Sequence, residues 1–210
     1  MDLYFSPLAC SMASRITLTE LGLEARLHQV NLATRRTHDG ADFLAVNPLG
    51  QVPTLRLGSG DVISENAVVL QYLADQKPEA GLVPRAGELA RYKVQQWLNF
   101  VATELHKALY IPLLDATSTE GAKVFARSKA DSRFSMLNRH LEDREFLVDH
   151  FTVADAYLVT ALNWSQYVGI DLTPWPAVHA YYQRLLTRPS VAKAIATEFE
   201  LYRAEVKAKA

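Results

Sequence analysis

Short apolar runs and a helical repeat alternate over the first part of the chain. Residues 2–6 form an apolar, aromatic run that ends at Pro7, and a helical repeat of apolar positions continues from about residue 11 to residue 22. Apolar and polar residues then alternate over residues 25–32, which is the period of a half-buried strand. This pattern predicts a β-α-β unit at the start of the chain.

The next part of the chain contains a predicted hairpin and a second helix. Residues 52–57 alternate like a strand, turn at residues 58–61 and return through residues 62–63. A helical repeat over residues 68–73 follows a polar start at residues 64–66, whose composition is typical of a helix cap. The order βαβ and then ββα predicts an α/β domain with a small mixed sheet flanked by helices.

The second half of the chain carries helical periodicity and no strand pattern. Prolines and glycines concentrate in residues 78–87, which are typical of a linker. Since a length of 210 residues favours two domains, we expect residues 1–77 to form the first and residues 88–210 an all-helical second. The predicted helices cover residues 88–110, 118–142, 152–167 and 176–204, with breaks at Pro112, residues 143–149, Pro174 and Pro176.

Charge and hydropathy argue against some classes of partner. The formal charge is −1, and the 22 basic residues are scattered among 23 acidic ones, so the sequence lacks the basic stripe of a nucleic-acid-binding protein. The apolar runs are far shorter than the roughly 20 residues of a membrane span. The first residues lack the basic and long apolar regions of a secretory signal. We therefore expect no nucleic-acid partner, no membrane insertion and a cytoplasmic location.

The cysteine and histidine content argues against a metal site. Cys10 is the single cysteine, so neither an intramolecular disulfide nor a zinc site with several thiolates can form. The six histidines lack the i, i+4 spacing of metal ligands on a helix. We expect no metal cofactor and a reducing compartment.

Cys10 is the first candidate for chemistry, because it lies where a predicted strand leads into a helix. The positive end of a helix dipole stabilises a thiolate, either of the cysteine or of a ligand bound beside it. Ser11 is an alternative hydroxyl donor at the same place. A lone cysteine is as often a small buried hydrophobic residue, so both interpretations stay open.

Four further residues form two candidate ligand-binding features. A cis bond between Val52 and Pro53 would expose backbone groups to an extended peptide, whereas an ordinary trans proline would only end an edge strand. Glu65 lies at a helix start, where free amides attract a carboxylate and its side chain could pair with an ammonium. Together with Asn66 it would suit an α-amino acid head group, and plain helix capping is the alternative.

The helical half contains a polar stripe and a capping motif. Asn99, Thr103, His106 and Tyr110 recur at i, i+4, i+7 and i+11, which predicts either the wall of a cleft or a solvated face. Residues 152–155 read as a capping box with aspartate at its last position, and we expect a purely structural role for them.

These features together resemble the glutathione S-transferase family, and its bacterial beta class in particular, over essentially the whole chain. The most specific stretches are residues 4–11, 47–53, 64–67, 97–99 with 104–107, and 151–156. The resemblance implies a thioredoxin-like glutathione-binding domain, followed by an all-helical domain that carries the electrophile side of the site. It also implies a homodimer.

The resemblance also implies roles for single residues of the first domain. Cys10, with Ser11 beside it, would contact the glutathione sulfur. Val52, preceded by Gln51, would pair with the peptide backbone ahead of a cis Pro53. The γ-glutamyl head and the glycyl carboxylate would be held by Glu65, Asn66 and Arg35.

In the helical domain, the resemblance implies that His106 approaches the sulfur and that Asn99 acts on the glutathione of the partner subunit. Glu104 and Lys107 belong to the same binding set, and Trp164 would form a wall of the site. The electrophile pocket would be lined by Leu8, Tyr110, Leu113 and Trp164.

Two positions depart from the class pattern. Arg35 stands where lysine is usual, and Asn66 stands where serine is usual. Both residues keep a hydrogen-bond donor, so these changes affect the strength of glutathione binding more than the identity of the ligand.

The function that the sequence predicts is conjugation of the glutathione thiol to small hydrophobic electrophiles, with glutathione as co-substrate. A glutathione-dependent thiol-disulfide oxidoreductase or a dehalogenase that uses Cys10 is one alternative. A non-catalytic carrier of apolar ligands is another. An isomerase of the zeta type fits less well, because residues 9–12 lack the serine-rich signature of that type.

Overall fold

The computed structural model describes residues 1–209, and these divide into two compact units. The first unit comprises Met1–Gly81 and the C-terminal segment that starts at Pro189. The second unit comprises Leu82–Arg188.

Within residues 1–209, the sheet of the first unit has five strands in the order β3-β2-β1-β4-β5. The central strand β1 runs parallel to β2 and antiparallel to β4, and the two edge strands β3 and β5 are antiparallel to their neighbours. The strands are β1 Asp2–Phe5, β2 Arg26–Asn31, β3 Arg36–Thr37, β4 Thr54–Arg56 and β5 Val62–Ile63.

Two helices complete the predicted βαβ and ββα order of the first unit. They are α1, Met12–Leu21, and α2, Asn66–Asp75, which pack against each other. Strand β3 lies in a polar stretch in which no strand was predicted, because two residues are too few to show alternation. The unit's core is apolar and includes the fully buried side chains of Leu3, Ile16, Leu55, Leu70 and Leu73.

The second unit is helical. A continuous helical stretch consists of α3, Leu89–Phe100, the π-helical segment Val101–Tyr110, and α4, Ile111–Leu114. The centre of the unit is α6, whose residues are all buried. The remaining helices are α5 Glu120–Leu141, α6 Val153–Asn163, α7 Ser165–Val168 and α8 Pro176–Leu186.

The last predicted helix, residues 176–204, is two helices. Helix α8 ends at Leu186, and α9, Pro189–Lys209, begins at a proline that has no N–H to continue α8. Helix α9 packs against α1 and belongs to the first unit, which differs from the expected assignment of residues 88–210 to one domain. The reason is a set of polar contacts that tie α9 to the first unit, including Arg15–Glu198 and Gln29–Glu205.

The stretch 78–87 is more ordered than its composition suggests. It starts with a short 3-10 helix, Pro78–Ala80, and turns at Gly81, which has a φ of 68°. Leu82 is buried, and its carbonyl accepts a hydrogen bond from the N–H of Val153 at 3.0 Å. Leu82 and the equally buried Val83 are therefore packed into the helical unit.

The predicted capping box is confirmed at the start of α6. The Thr152 hydroxyl accepts from the helix backbone, and the Asp155 carboxylate accepts from the backbone N–H of Thr152 at 2.8 Å. Among residues 1–209, no helix is both long enough and apolar enough to cross a bilayer.

Candidate functional site

The Cys10 thiol lies in the turn between β1 and α1 and is only 8% exposed. It donates a hydrogen bond to the carbonyl oxygen of Val52 at 3.1 Å. The bond between Val52 and Pro53 is cis, as the resemblance implied. Two separate predicted segments of the first unit therefore meet at the sulfur of Cys10.

Ser11 is turned away from this point. Its side chain is fully buried, and its hydroxyl bonds to both the N–H and the carbonyl of Ser6, each at 3.2 Å. Both hydrogen-bonding functions of the hydroxyl are thus used to close the turn. The geometry gives Ser11 a structural role and supplies no support for the expected catalytic one.

The backbone carbonyl of Gln51 accepts hydrogen bonds from two side chains. Its carbonyl accepts from the Asn47 amide at 3.0 Å and from the Thr54 hydroxyl at 2.8 Å, while its own side chain is exposed. Asn47 is part of the motif at residues 47–53, but nothing in the sequence indicated these two hydrogen bonds. The two contacts fix the chain just before Val52, where an extended ligand would pair.

Arg35 lies across the same loop. Its backbone has a φ of 56°, and its guanidinium donates to the carbonyl of Gly50 at 2.5 Å. Gly50 also has a positive φ, of 60°, and a Cβ there would approach Arg35 Cδ to 2.8 Å. Gly50 is therefore required both for its own conformation and for the position of the arginine.

Glu65 and Asn66 begin α2, but neither side chain caps the helix. Glu65 is exposed, makes no cap hydrogen bond, and has a φ of 67° and a ψ of 118°, a conformation that is costly for a residue with a side chain. Asn66 is 7% exposed, and its amide N–H donates to the carbonyl of Cys10 at 3.1 Å. Simple helix capping is therefore not the role of either side chain.

A buried carboxylate supports the turn that carries Cys10. Leu8 has a φ of 60°, and its N–H donates to the Glu198 carboxylate at 2.8 Å. The other oxygen of Glu198 pairs with Arg15 at 2.9 Å. Burial raises the pKa of Glu198 to about 7, and the Arg15 contact opposes that rise. No sequence motif indicates this role of Glu198, because it is 190 residues from Leu8 and carries no local signal.

In the helical unit, His106 is buried at 6% exposure. Its Nδ1 lies 2.7 Å from the hydroxyl of Tyr157, and its ring packs on Trp164 with the centroids 4.8 Å apart. Burial, with a smaller effect of the Lys107 charge, lowers the pKa of His106 to about 4. The imidazole is therefore neutral at physiological pH.

His106 belongs to a larger aromatic cluster, formed by His106, Tyr110, Tyr157 and Trp164. Tyr110 meets Trp164 edge to face and shares a hydrogen bond of 2.7 Å with the hydroxyl of Ser165. Burial raises the pKa of Tyr110, so its hydroxyl stays protonated. All four side chains of the aromatic cluster are buried.

The remaining predicted residues of this unit differ in their surroundings. Asn99 is exposed, and its amide donates back to the carbonyl of Gln95. Glu104 forms an ion pair of 2.6 Å with Arg133, and Lys107 is exposed. The predicted polar stripe is thus exposed at Asn99 and buried at His106, so it does not line one uniform face.

Within residues 1–209, no group of three or more His, Cys, Asp or Glu side chains is arranged to hold a metal ion. The two units present their candidate residues separately. The first joins Cys10, Val52 and Asn66 by direct hydrogen bonds and places Arg35 on Gly50. The second contains the aromatic cluster.

Comparison with protein families matches both units. The family model for the glutathione S-transferase N-terminal domain matches residues 9–76, and that for the C-terminal domain matches residues 100–189. A curated relative, glutathione S-transferase GstA of Escherichia coli O157:H7, is 39% identical over 199 residues, covering 94% of this chain and 98% of the relative.

Two solved structures are similar in both sequence and fold. A sphingomonad glutathione S-transferase complexed with glutathione has 41% identity and a TM-score of 0.89, covering 94% of this chain and 98% of that one. A beta-class glutathione S-transferase of Sphingomonas chungbukensis has 43% identity and a TM-score of 0.90, with the same two coverages.

Proposed function

This chain belongs to the glutathione S-transferase family, and we propose that it joins the thiol of glutathione to small hydrophobic electrophiles through the residues described above. It is a glutathione transferase. Its similarity to a beta-class structure at 43% identity agrees with the class that the sequence motifs predict.

One observation carries the assignment of the glutathione-binding residues. Cys10 accepts a hydrogen bond from Asn66 at its carbonyl and donates one to Val52 from its thiol. Three segments far apart in sequence thereby converge in the first unit. This convergence is what a tripeptide with a charged head, an extended middle and a thiol requires.

We assign the parts of glutathione as follows. The α-carboxylate of the γ-glutamyl residue binds at the start of α2 beside Asn66. The α-ammonium of the same residue pairs with the exposed side chain of Glu65. The cysteinyl backbone pairs with Val52 in the strand-addition mode. The glycyl carboxylate pairs with Arg35, which already lies across Gly50.

The chemical step uses the sulfur of glutathione. The thiol loses its proton to solvent, and the positive end of α1 stabilises the thiolate. The thiolate attacks an electrophilic carbon, a C–S bond forms, and the leaving group departs with the bonding electron pair. The neutral His106 acts as a hydrogen-bond donor in this step.

The role of Cys10 in this scheme is to assist and not to attack. Its thiol is nearly buried and already hydrogen-bonded to Val52, so a mixed disulfide with it would first have to break that contact. This arrangement favours conjugation over disulfide exchange by the protein thiol.

Further elements of the proposal come from the family. The chain works as a cytoplasmic homodimer without a metal, and Asn99 acts on the glutathione of the partner subunit. The electrophile binds beside the aromatic cluster, with Leu113 as an apolar neighbour. Gln51, Glu104 and Lys107 contribute to glutathione binding.

The test is a comparison of two reactions with the purified protein and glutathione. One substrate is an activated aryl halide, whose thioether product is identified by mass spectrometry, and the other is a glutathione mixed disulfide. We expect thioether formation, and Glu65→Gln should weaken glutathione binding by about 10-fold or more, since a charge-assisted bond is lost. Glutathione binding with no thioether from any of several electrophiles would favour a carrier and contradict the proposal.

A further inference from the structure

The two ring nitrogens of His106 have different environments. Nδ1 is 2.7 Å from the hydroxyl of Tyr157, and both side chains are buried. Within residues 1–209, no protein group forms a hydrogen bond with Nε2. One nitrogen is therefore committed to the interior of the helical unit, and the other remains available to a ligand.

The direction of the bond at Nδ1 follows from the chemistry of the two groups. A neutral imidazole has one N–H donor and one acceptor nitrogen, and the bond made by one nitrogen sets the proton on the other. Burial keeps His106 neutral. A phenol is a good O–H donor and the unprotonated ring nitrogen is the stronger base of the pair. This chemistry favours donation from the Tyr157 O–H to Nδ1, which leaves the ring proton on Nε2.

We propose that Tyr157 is a positioning residue, which holds His106 as the Nε2–H tautomer so that Nε2 carries the proton that the hydrogen-bond donor of the conjugation step needs. This inference rests on the proposed function. Tyr157 would contribute to transition-state stabilisation only through His106, and it would contact neither substrate.

The packing of the imidazole supports a fixed orientation. The Tyr157 ring meets the His106 ring nearly perpendicularly, at an interplanar angle of 80°, and Trp164 covers it at 51°. Rotation of the ring by half a turn would remove the nitrogen acceptor from the Tyr157 hydroxyl. The hydroxyl is therefore the group that distinguishes the two orientations, because the aromatic contacts are insensitive to the exchange of C–H for N.

The first test observes the tautomer directly in the wild-type protein. Histidine-selective ¹⁵N labelling, with His106→Ala to assign the signals, distinguishes a protonated from an unprotonated ring nitrogen. We expect His106 to show well-separated signals with the proton on Nε2, and in Tyr157→Phe we expect the two signals to move together as the tautomers interconvert. A proton on Nδ1 in the wild type would overturn the proposal.

The second test is kinetic. Tyr157→Phe should lower kcat for conjugation by about 3- to 10-fold, the range of one ordinary hydrogen bond, with little change in the KM for glutathione. In the His106→Ala background, the same change should have no further effect. Unchanged kcat in Tyr157→Phe, or an equal loss in the His106→Ala background, would overturn the proposal.

Tyr181→Phe is the matched control. Tyr181 is another buried tyrosine of the helical unit, and its hydroxyl donates to Asp155 and not to a predicted site residue. Its loss should lower stability and leave the ¹⁵N signals of His106 and kcat of the folded fraction unchanged. Since the NMR test needs no substrate, failure of the proposed function would show as inactive wild-type protein with the tautomer still as expected.

Discussion

The carboxylate of Glu198, in the last helix, accepts a hydrogen bond of 2.8 Å from the backbone N–H of Leu8. Leu8 precedes Cys10 by two residues and has a left-handed backbone conformation with a φ of 60°. The C-terminal helix thus holds in place the turn that presents Cys10. This contact explains why α9 belongs to the first unit even though the chain reaches it through the helical unit.

The first prediction concerns the pH dependence of stability. The pKa of Glu198 is raised by burial from 4.5 to about 7, so the folded protein binds this proton more tightly than the unfolded chain. Glu198 therefore stabilises the folded protein fully below pH 4.5. This stabilisation disappears as the pH rises through about 7. Between about pH 4.5 and pH 7.5, wild type should lose about 2 to 4 kcal/mol of unfolding free energy relative to Glu198→Gln.

Urea unfolding at several pH values measures this difference. Glu200→Gln, which changes an exposed glutamate of the same helix, is the control and should follow the wild-type pH dependence. Parallel curves for wild type and Glu198→Gln would show that the carboxyl of Glu198 titrates normally in the folded protein.

The second prediction concerns the capping box. Asp155 accepts hydrogen bonds from the backbone N–H groups of Leu147 and Thr152 and from the hydroxyls of Thr152 and Tyr181. Thr152→Ala should cost about 1 to 2 kcal/mol as an ordinary cap, and Asp155→Ala about 2 to 5 kcal/mol because several buried donors lose their acceptor. Denaturant unfolding measures both losses. The KM for glutathione of the folded fraction should not change, and a stable variant that no longer bound glutathione would contradict a structural role.

The third prediction concerns the left-handed backbone conformation of Glu65. Because its φ of 67° suits glycine, Glu65→Gly should be more stable than Glu65→Ala by about 1 kcal/mol. Both variants lack the carboxylate and should lose glutathione affinity to the same extent, as measured by calorimetric titration. Full affinity in Glu65→Gly would show that the side chain does not pair with glutathione.

The fourth prediction separates the effect of backbone strain at a positive φ from the effect of a steric contact with Arg35. In Gly50→Ala the new Cβ would displace Arg35, whereas at Gly60, with a φ of 95°, nothing lies within 4 Å. Both substitutions strain the backbone, but only Gly50→Ala should raise the KM for glutathione, by about 3- to 10-fold. In the Arg35→Ala background the effect of Gly50→Ala on KM should vanish. A similar rise of KM in Gly60→Ala would contradict the assignment of Arg35.

The features that the sequence predicted are local ones. The apolar repeats located α1 and α2. The three-residue spacing of Thr152 and Asp155 was enough to predict the capping box, because a cap depends only on neighbouring residues. The fold class and the family followed from these patterns and from the motifs. The split between α8 and α9 was missed although Pro189 marks it, since the apolar repeat continues on both sides.

The contacts that the sequence did not predict join residues far apart in the chain. The partners of Leu8, His106 and Cys10 include Glu198, Tyr157 and Asn66, which are separated from them by 190, 51 and 56 residues. No periodicity in one sequence relates such pairs. Ser11 is the opposite case. Its position next to Cys10 suggested a chemical role, but its hydroxyl bonds to the backbone of Ser6 and closes the turn.

We propose that the sulfur of glutathione, and not that of Cys10, is the nucleophile, and Cys10→Ala distinguishes the two sulfurs. Rates of aryl halide conjugation and of mixed-disulfide reduction are compared with wild type at saturating glutathione, after calorimetry has shown that glutathione still binds. We expect substantial conjugation to remain and any disulfide reduction to disappear, because only the latter needs a protein thiol. Complete loss of conjugation with glutathione binding intact would contradict this account and require a covalent role for Cys10.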